Sequence, residues 1–314
     1  MRKVLVACSE NGHDTVTELP AVLKRAGLDV TLMSSRKIRS YIGSYSNRWI
    51  ESSENAASII QQIAELLARD SFDWIILGDD FLLRALADSP LEDALKSRIG
   101  PLRHSEYLRL LGSKAESTRF AADIDVLTPP FQICSSFAEI ERAAAEIGFP
   151  CMIKIDRSGG GDGVFKCNSA IDLEYQRNQL QSGKFLVEKY IEGAAASVEP
   201  LFLDGRLVAY SYGDMLMTYG KTGVSSRRYF QPCPALADTL EKISMRLGLH
   251  GFCNFTFMRD ATSGQHYLIE MDMRPNAWVA YTRFAGIDFS RAIQQYLANP
   301  DFRAQNFCAA AQRK

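Results

Sequence analysis

Two lysines, a run of glycines and a strand carrying two carboxylates and an arginine are the residues of this chain best suited to chemistry. In the stretch Pro150–Val164 a short apolar strand delivers Lys154, and Gly159, Gly160, Gly161 and Gly163 follow closely. Such a cluster is a poor interior for helix or strand. It suits a turn whose N–H groups close over an anion, with Lys154 adding a point charge for a phosphate oxygen. A glycine-rich hairpin beside a structural lysine is the other reading these residues allow. Downstream, His266-Tyr-Leu-Ile-Glu-Met-Asp-Met-Arg274 alternates. Glu270, Asp272 and Arg274 therefore share one strand face, while Ile269, Met271 and Met273 take the other. Two carboxylates held close repel by about 4 kcal/mol at an effective dielectric near 20. Hard oxygen ligands beside a triphosphate suit magnesium as the compensating cation. The alternative is a solvated face with an internal Asp–Arg pair. The preceding Gly251–Met258 segment alternates too and leads through Asp260 and Gly264, which predicts a hairpin. In the matching register, Asn254 and Thr256 fall beside the carboxylates.

The elements that must position these groups fall into two regions. Lys3–Ala7, Asp29–Met33 and Asp73–Leu77 read as strands, and Val16–Arg25 and Ala56–Ala68 as helices. That alternation predicts a parallel sheet with right-handed crossovers. Ligands bind beyond the carboxyl ends of such strands, where Ser9-Glu10-Asn11-Gly12 and Gly78-Asp79-Asp80 lie. Both segments equally suit ordinary turns. They lack GxGxxG, so no dinucleotide site is read here. Past Gly100-Pro101, helices are expected at Ser105–Leu111, Lys114–Ala122 and Phe137–Ile147. Extended segments then dominate: Phe185–Ile191, Ser197–Leu203, Leu207–Tyr212, Phe252–Met258 and His266–Met273. With helices at Ala235–Leu247 and Ser290–Ala298, this second region reads as α+β and largely antiparallel.

Composition narrows the class. At 314 residues the chain can hold two or three small domains. Its 36 basic and 37 acidic residues leave no basic tail or patch for nucleic acid or a membrane surface. The cysteines at 8, 134, 151, 167, 233, 253 and 308 form no CxxC pair, an unpatterned set that favours a reducing compartment. The apolar run after Arg2 and Lys3 is too short for a signal peptide, and no stretch approaches a membrane span. A cytoplasmic protein is expected. The histidines at 13, 104, 250 and 266 have no metal-ligand spacing, and no Ser–His–Asp or Cys–His arrangement is evident.

Taken in order, these pieces resemble the ATP-grasp superfamily over roughly residues 1–300. The resemblance implies an N-terminal parallel-sheet pre-ATP-grasp domain over residues 1–100. An ATP-grasp fold over 101–314 follows, with a mobile lid subdomain at about 125–190. It implies that Lys114, at a helix start, and Lys154, after Gly148-Phe149-Pro150, contact nucleotide phosphates. Ser158, Gly159, Gly160, Gly161, Gly163 and Val164 would form the phosphate-covering loop. The hinge Phe185–Gly193 would read adenine through the backbone of Lys189 and Ile191, with Glu188 or Glu192 at the amino group or ribose. Glu270 and Asp272 would hold Mg2+, or Mn2+, and Arg274 would lie nearest the transferring phosphoryl group. Thr256 stands where many members carry an acidic or amide ligand, and Asp272 where asparagine is usual, so the metal set is altered.

The activity implied is carboxylate–amine ligation driven by ATP through an acylphosphate, on an amino acid or small carboxylate. Phosphoryl transfer needs positioning and charge neutralisation more than a protein nucleophile. Lys221, Arg227 and Arg228 lie in a turn-rich segment that is either a flexible lid holding the carboxylate or acylphosphate, or a solvated basic loop. Arg228 is taken with Arg274 as a catalytic candidate. Arg283 either reaches the same cleft or pairs with Asp288. Tyr212, Tyr219, Tyr229 and Trp278 line an apolar pocket or pack in the core. Expected partners are ATP, the two small substrates and a second copy of the chain. An ATP-binding protein without turnover and a kinase-like transferase are the alternatives.

Overall fold

A computed structural model describes residues 1–9, 17–37, 45–53, 55–159, 161–219, 223, 225–299 and 302. Glu10–Gly12, His13, Gly160, Lys221 and Cys308 lie outside the described residues. Among the described residues the strands form three sheets. The first comprises β1 (Lys3–Ala7), β2 (Asp29–Ser34), β3 (Arg48–Glu51) and β4 (Trp74–Leu77), in the order β3-β2-β1-β4 and wholly parallel. Strands β1, β2 and β4 are buried almost throughout, as parallel strands covered by helices are, while the edge strand β3 is not. The helices α1 (Leu19–Arg25), α2 (Ala56–Leu67), α3 (Asp80–Asp88) and α4 (Asp93–Ile99) belong to this region. The chain turns from β4 into α3 at Asp79, whose carboxylate accepts from the amides of Leu82 at 2.9 Å and Ser9 at 2.8 Å. Asp79 is thus an N-cap and a tie between two strand ends.

The helix α5 (Lys114–Asp123) opens the second region, capped by Ser113. The second sheet comprises β5 (Phe131–Cys134), β6 (Cys151–Ile155), β7 (Val164–Cys167) and β8 (Phe185–Lys189), antiparallel in the order β5-β8-β6-β7. Its helices α6 (Phe137–Ile147) and α7 (Ala170–Tyr175) help close a core of its own around Phe137, Ile140, Ile153, Phe185 and Val187. The third sheet contains β9 (Gly193–Leu203), β10 (Arg206–Thr218), β11 (Ser225–Phe230), β12 (Gly251–Phe252), β13 (Asn254–Asp260) and β14 (His266–Asp272). Its order is β11-β10-β9-β13-β14, with β12 also on β9. The helices α8 (Ala237–Leu247), α9 (Trp278–Tyr281) and α10 (Phe289–Ala298) complete the chain. Two apolar clusters run from the parallel sheet into the third sheet, joining Leu5, Ile59 and Leu82 to Phe255 and Met271, and Val6 and Trp74 to Phe252 and Phe289. The second sheet, with its separate core, stands apart from that shared interior.

Helix α1 begins at Leu19 rather than Val16, with Pro20 in its first turn. Arg227 and Arg228 lie on strand β11, not in a turn-rich lid, and Arg228 pairs with Glu199 of β9. Among the described residues, no helix is long and apolar enough to cross a membrane. The described cysteines are all free.

Candidate active site

The β13–β14 hairpin sets the face that carries the acids. Asn254 pairs in register with Asp272, and Thr256 with Glu270, as the alternation predicted. A bulge between Thr256 and Phe257 shifts the remaining pairs by one residue. Lys114 meets Glu270 at 2.9 Å and also donates to the carbonyl of Ser158 at 2.8 Å. A lysine on the first turn of a helix opposes the helix dipole. Here the Glu270 carboxylate compensates. Burial disfavours the charged Lys114 ammonium, but Glu270 and Asp272 outweigh it and raise its pKa.

Lys154, pointing from β6, forms a 2.5 Å ion pair with Glu188 of β8 and donates to the Ile269 carbonyl of β14 at 2.7 Å. It therefore bridges the second and third sheets. The Glu188 side chain is 1% exposed, and burial pushes its pKa up against the pull of Lys154. Its other oxygen, Oε1, is buried with no hydrogen-bond partner. A buried acceptor without a donor is costly, and this one sits at the hinge expected to meet adenine.

The glycine loop is drawn onto this centre. Ser158 anchors its own turn through Oγ to the Ile155 carbonyl at 2.8 Å. Gly161 and Gly163 have φ of 88° and 71°, so both take the left-handed conformation that side chains resist. A Cβ at Gly163 would also meet Ile155 and Ser158 at 3.1–3.2 Å. Val164 pairs with Lys154 across β6 and β7. The hinge is less uniform. The Lys189 amide donates to Pro130 at 2.8 Å, so that donor is unavailable for adenine. Ile191 is half-buried and Glu192 is exposed.

Arg274 binds two carboxylates through one nitrogen, with Nη2 2.7 Å from Asp80 and 3.2 Å from Asp272. Asp80 comes from the first turn of α3, at a carboxyl end of the parallel sheet. The sequence marked its segment but not this contact, which joins residues 194 positions apart. Burial opposes ionisation of both Asp80 and Glu270, yet Arg274 lowers the pKa of the first and Lys114 that of the second. Asp272 behaves differently: burial, reinforced by Glu270, raises its carboxyl to about 7. The Arg274 guanidinium, though buried, is held charged by Asp272 and Asp80.

Arg228 joins a neighbouring cluster. Its guanidinium pairs with the fully buried Glu199 and lies 4.5 Å over the Trp278 ring. Ser197, Ser211 and Asn276 also donate to Glu199. Asn276 continues to Asn254 at 2.9 Å, and Asn254 to Asp272 at 3.4 Å. Arg228 therefore reaches the acids through intermediaries. Arg283 is exposed over the Phe284 ring, while Asp288 caps α10 by accepting from Ser290 and Arg291. Tyr212 is buried, Trp278 is partly buried, and Tyr219 and Tyr229 are exposed.

The family model for the carbamoyl-phosphate synthase L chain, ATP binding domain, matches residues 113–199, the span holding both lysines, the glycine loop and the hinge. A carbamoyl-phosphate synthase of Methanobrevibacter smithii is 26% identical over 181 residues, covering 54% of this chain and 47% of that protein. A D-alanine–D-alanine ligase of Ectopseudomonas mendocina is 29% identical over 263 residues, covering 72% of this chain and 82% of the relative. The chain spans less than half the length of several curated relatives it matches, including that synthase. Among solved structures, N5-carboxyaminoimidazole synthetase from Staphylococcus aureus, complexed with ADP, aligns with a TM-score of 0.70 at 14% identity, over 97% of this chain and 78% of the other. The biotin carboxylase domain of Hydrogenobacter thermophilus 2-oxoglutarate carboxylase, a dimer solved with MgADP and bicarbonate, aligns with a TM-score of 0.68 at 20% identity, over 95% and 70%. The order of the three sheets, the grouping of the two lysines with the carboxylate strand, and these likenesses agree: residues 113–199 match an ATP-binding domain and the chain has the fold of ATP-grasp proteins.

Proposed function

We propose that this protein is an ATP-dependent carboxylate–amine ligase working through an acylphosphate, with the residues around Glu270 as its active site. The observation that carries this reading is the convergence of Lys114, Lys154, Ser158, Glu270 and Arg274 from separate elements. In this reading residues 1–100 are the substrate-side domain, 101–314 the ATP-grasp domain, and about 125–190 its lid.

The donor set suits both ATP and magnesium. Glu188 Oε1 is a buried acceptor lacking a donor, as an adenine amino group would supply. Among the described residues, no hydrogen bond falls on Glu270 Oε2 or Asp272 Oδ1; the shortest contacts of these acids are made by the other oxygen. No three His, Cys, Asp or Glu side chains group as a cage among the described residues. Two carboxylates completed by phosphate oxygens are a typical magnesium environment. Bound there, magnesium would neutralise charge on the phosphates.

Lys154 and Lys114 would hold the phosphate oxygens, and the glycine loop would cover them and exclude water. A substrate carboxylate oxygen attacks the γ-phosphorus in line, and the bond to the β–γ bridging oxygen breaks to release ADP. Arg274 offsets charge on the equatorial oxygens. An amine then attacks the acyl carbon; phosphate leaves and the amine loses its proton. Arg228 and Glu199 keep their pairing throughout and act by positioning Asn276 and Asn254.

The test is magnesium-dependent ADP release across a panel of amino acids and small carboxylates, with and without amines. Release requiring both a carboxylate and an amine is expected. Release with a phosphorylated product and no amine requirement would make the protein a kinase. Thr256 opposite Glu270 supports a second reading, nucleotide binding without turnover, which predicts tight ATP binding and no ADP under any pair.

A further inference from the structure

Asp80 is the acid that the parallel sheet contributes to this site, and it competes with Asp272 for a single guanidinium nitrogen. Its 2.7 Å contact with Arg274 Nη2 is shorter than the 3.2 Å contact from Asp272, although Asp272 ends β14 only two positions before Arg274, which lies in the bend beyond the strand rather than on its face as the alternation predicted. Asp80 is fixed by the helix it starts, which Asp79 caps. Arg84, one turn further along α3, donates to the Asp80 carbonyl at 3.1 Å and to the carbonyl of Arg157 beside the glycine loop. A Cβ placed on Gly159 would lie 4.0 Å from Asp80 Oδ2. Asp80 therefore stands where the parallel sheet, the glycine loop and the carboxylate strand meet.

Resting on the nucleotide-and-magnesium reading above, we propose that Asp80 is a positioning residue that draws Arg274 away from Asp272 and so keeps the Asp272 carboxylate available to a divalent cation. The charge pattern makes such a device necessary. An arginine two positions past an aspartate that ends a strand can pair with it. A cation and a guanidinium compete for the same oxygens, and a bidentate Arg–carboxylate pair would take both oxygens of Asp272. With Asp80 present, Arg274 hydrogen-bonds Asp272 through one nitrogen and one oxygen, and Asp272 Oδ1 carries no hydrogen bond among the described residues. Asn254 supports the arrangement by donating to that same Oδ2. Removing the Asp80 charge leaves Arg274 with Asp272 as its partner carboxylate among the ion pairs it now makes.

The experiment is a double-mutant cycle read by metal binding rather than turnover. Free Mn2+ is measured by electron paramagnetic resonance during titration of the protein with ADP present, for the parent, Asp80→Asn, Asp272→Asn and the double variant. Asp80→Asn is nearly isosteric at a helix start, and thermal unfolding verifies that each variant is folded. Asp80→Asn is expected to weaken Mn2+ binding about tenfold in the parent background and less than about twofold in the Asp272→Asn background. ADP affinity without metal stays within about twofold of the parent. Equal weakening in both backgrounds would mean that Asp80 acts only as a distant negative charge, which overturns the proposal. Unchanged Mn2+ binding in the single variant overturns it as well. A folded parent that binds ADP but takes up no Mn2+ refutes the magnesium reading itself, and a parent that binds no ADP refutes the nucleotide reading, so these failures are distinct.

Discussion

Two acid–base clusters, one buried around Glu199 and one partly exposed around Glu270, sit side by side in the third sheet and are built to opposite rules. Around Glu199, Arg228, Ser197, Ser211 and Asn276 satisfy the carboxylate, and Arg228 holds it ionised although burial opposes that. Around Glu270 and Asp272 the matching is incomplete. One acid is held charged, the other is raised to about 7, and each keeps an oxygen with no hydrogen bond among the described residues. A buried ionic cluster whose groups are all paired fixes a shape; one left short of positive charge offers a place for a cation or an anion-bearing ligand. The difference lies in stoichiometry, since both clusters use acids, an arginine and neighbouring amides.

The sharpest way to break this contrast is to unpair the satisfied cluster. Arg228→Met leaves Glu199 buried and charged, and should cost about 3–5 kcal/mol of stability by urea unfolding. Adding Glu199→Gln should restore most of that loss. If Arg228→Met is as stable as the parent but loses turnover, the arginine belongs to the chemistry rather than the scaffold. Next comes Glu270→Gln, which should reduce turnover about 100-fold while leaving ATP affinity within about threefold. An unchanged rate would remove Glu270 from the metal site. Lys154→Met follows: ATP binding, measured by calorimetry, should weaken about tenfold or more through loss of a charged phosphate partner. Its stability should also fall, because Glu188 is left buried without its cation. Equal ATP affinity would confine Lys154 to its structural pair.

How far the sequence reveals this arrangement depends on whether the cue is local. The parallel sheet, the antiparallel second region, the glycine loop and the β13–β14 register are all legible, because each rests on alternation or on residues within a few positions. Short strands such as β3, β5 and β7 are not, since four residues carry too little periodicity unless, as in β4, they form one apolar run. Strand β11 is hidden for another reason. Ser-Ser-Arg-Arg-Tyr-Phe looks like a solvated basic segment until Glu199, 29 positions upstream of Arg228, is placed beside it. Asp80 is the extreme case, for its partner lies on another sheet and nothing near it in the chain foretells an arginine. Pairing across units, as between Asp80 and Arg274, has no period to betray it.

The incomplete cluster has a pH signature that the satisfied one lacks. Without metal, burial and Glu270 raise Asp272 to about 7 in the folded protein, against about 3.9 in an unfolded chain. A raised carboxyl binds its proton more tightly when folded, so its favourable contribution is complete below about pH 4 and disappears as pH climbs through about 7. Asp272→Asn cannot ionise. In chelator, its stability relative to the parent should therefore improve between about pH 4 and about pH 8, by about 1–2 kcal/mol, since partial solvent contact and Arg274 screen the penalty. Loss of the aspartate's contact with Arg274 adds an offset, but the slope with pH belongs to the ionisation. Urea midpoints at several pH values measure it. A flat difference would mean that Arg274 and Asp80 already balance Asp272 as completely as Arg228 balances Glu199, and the distinction between the two clusters would fall.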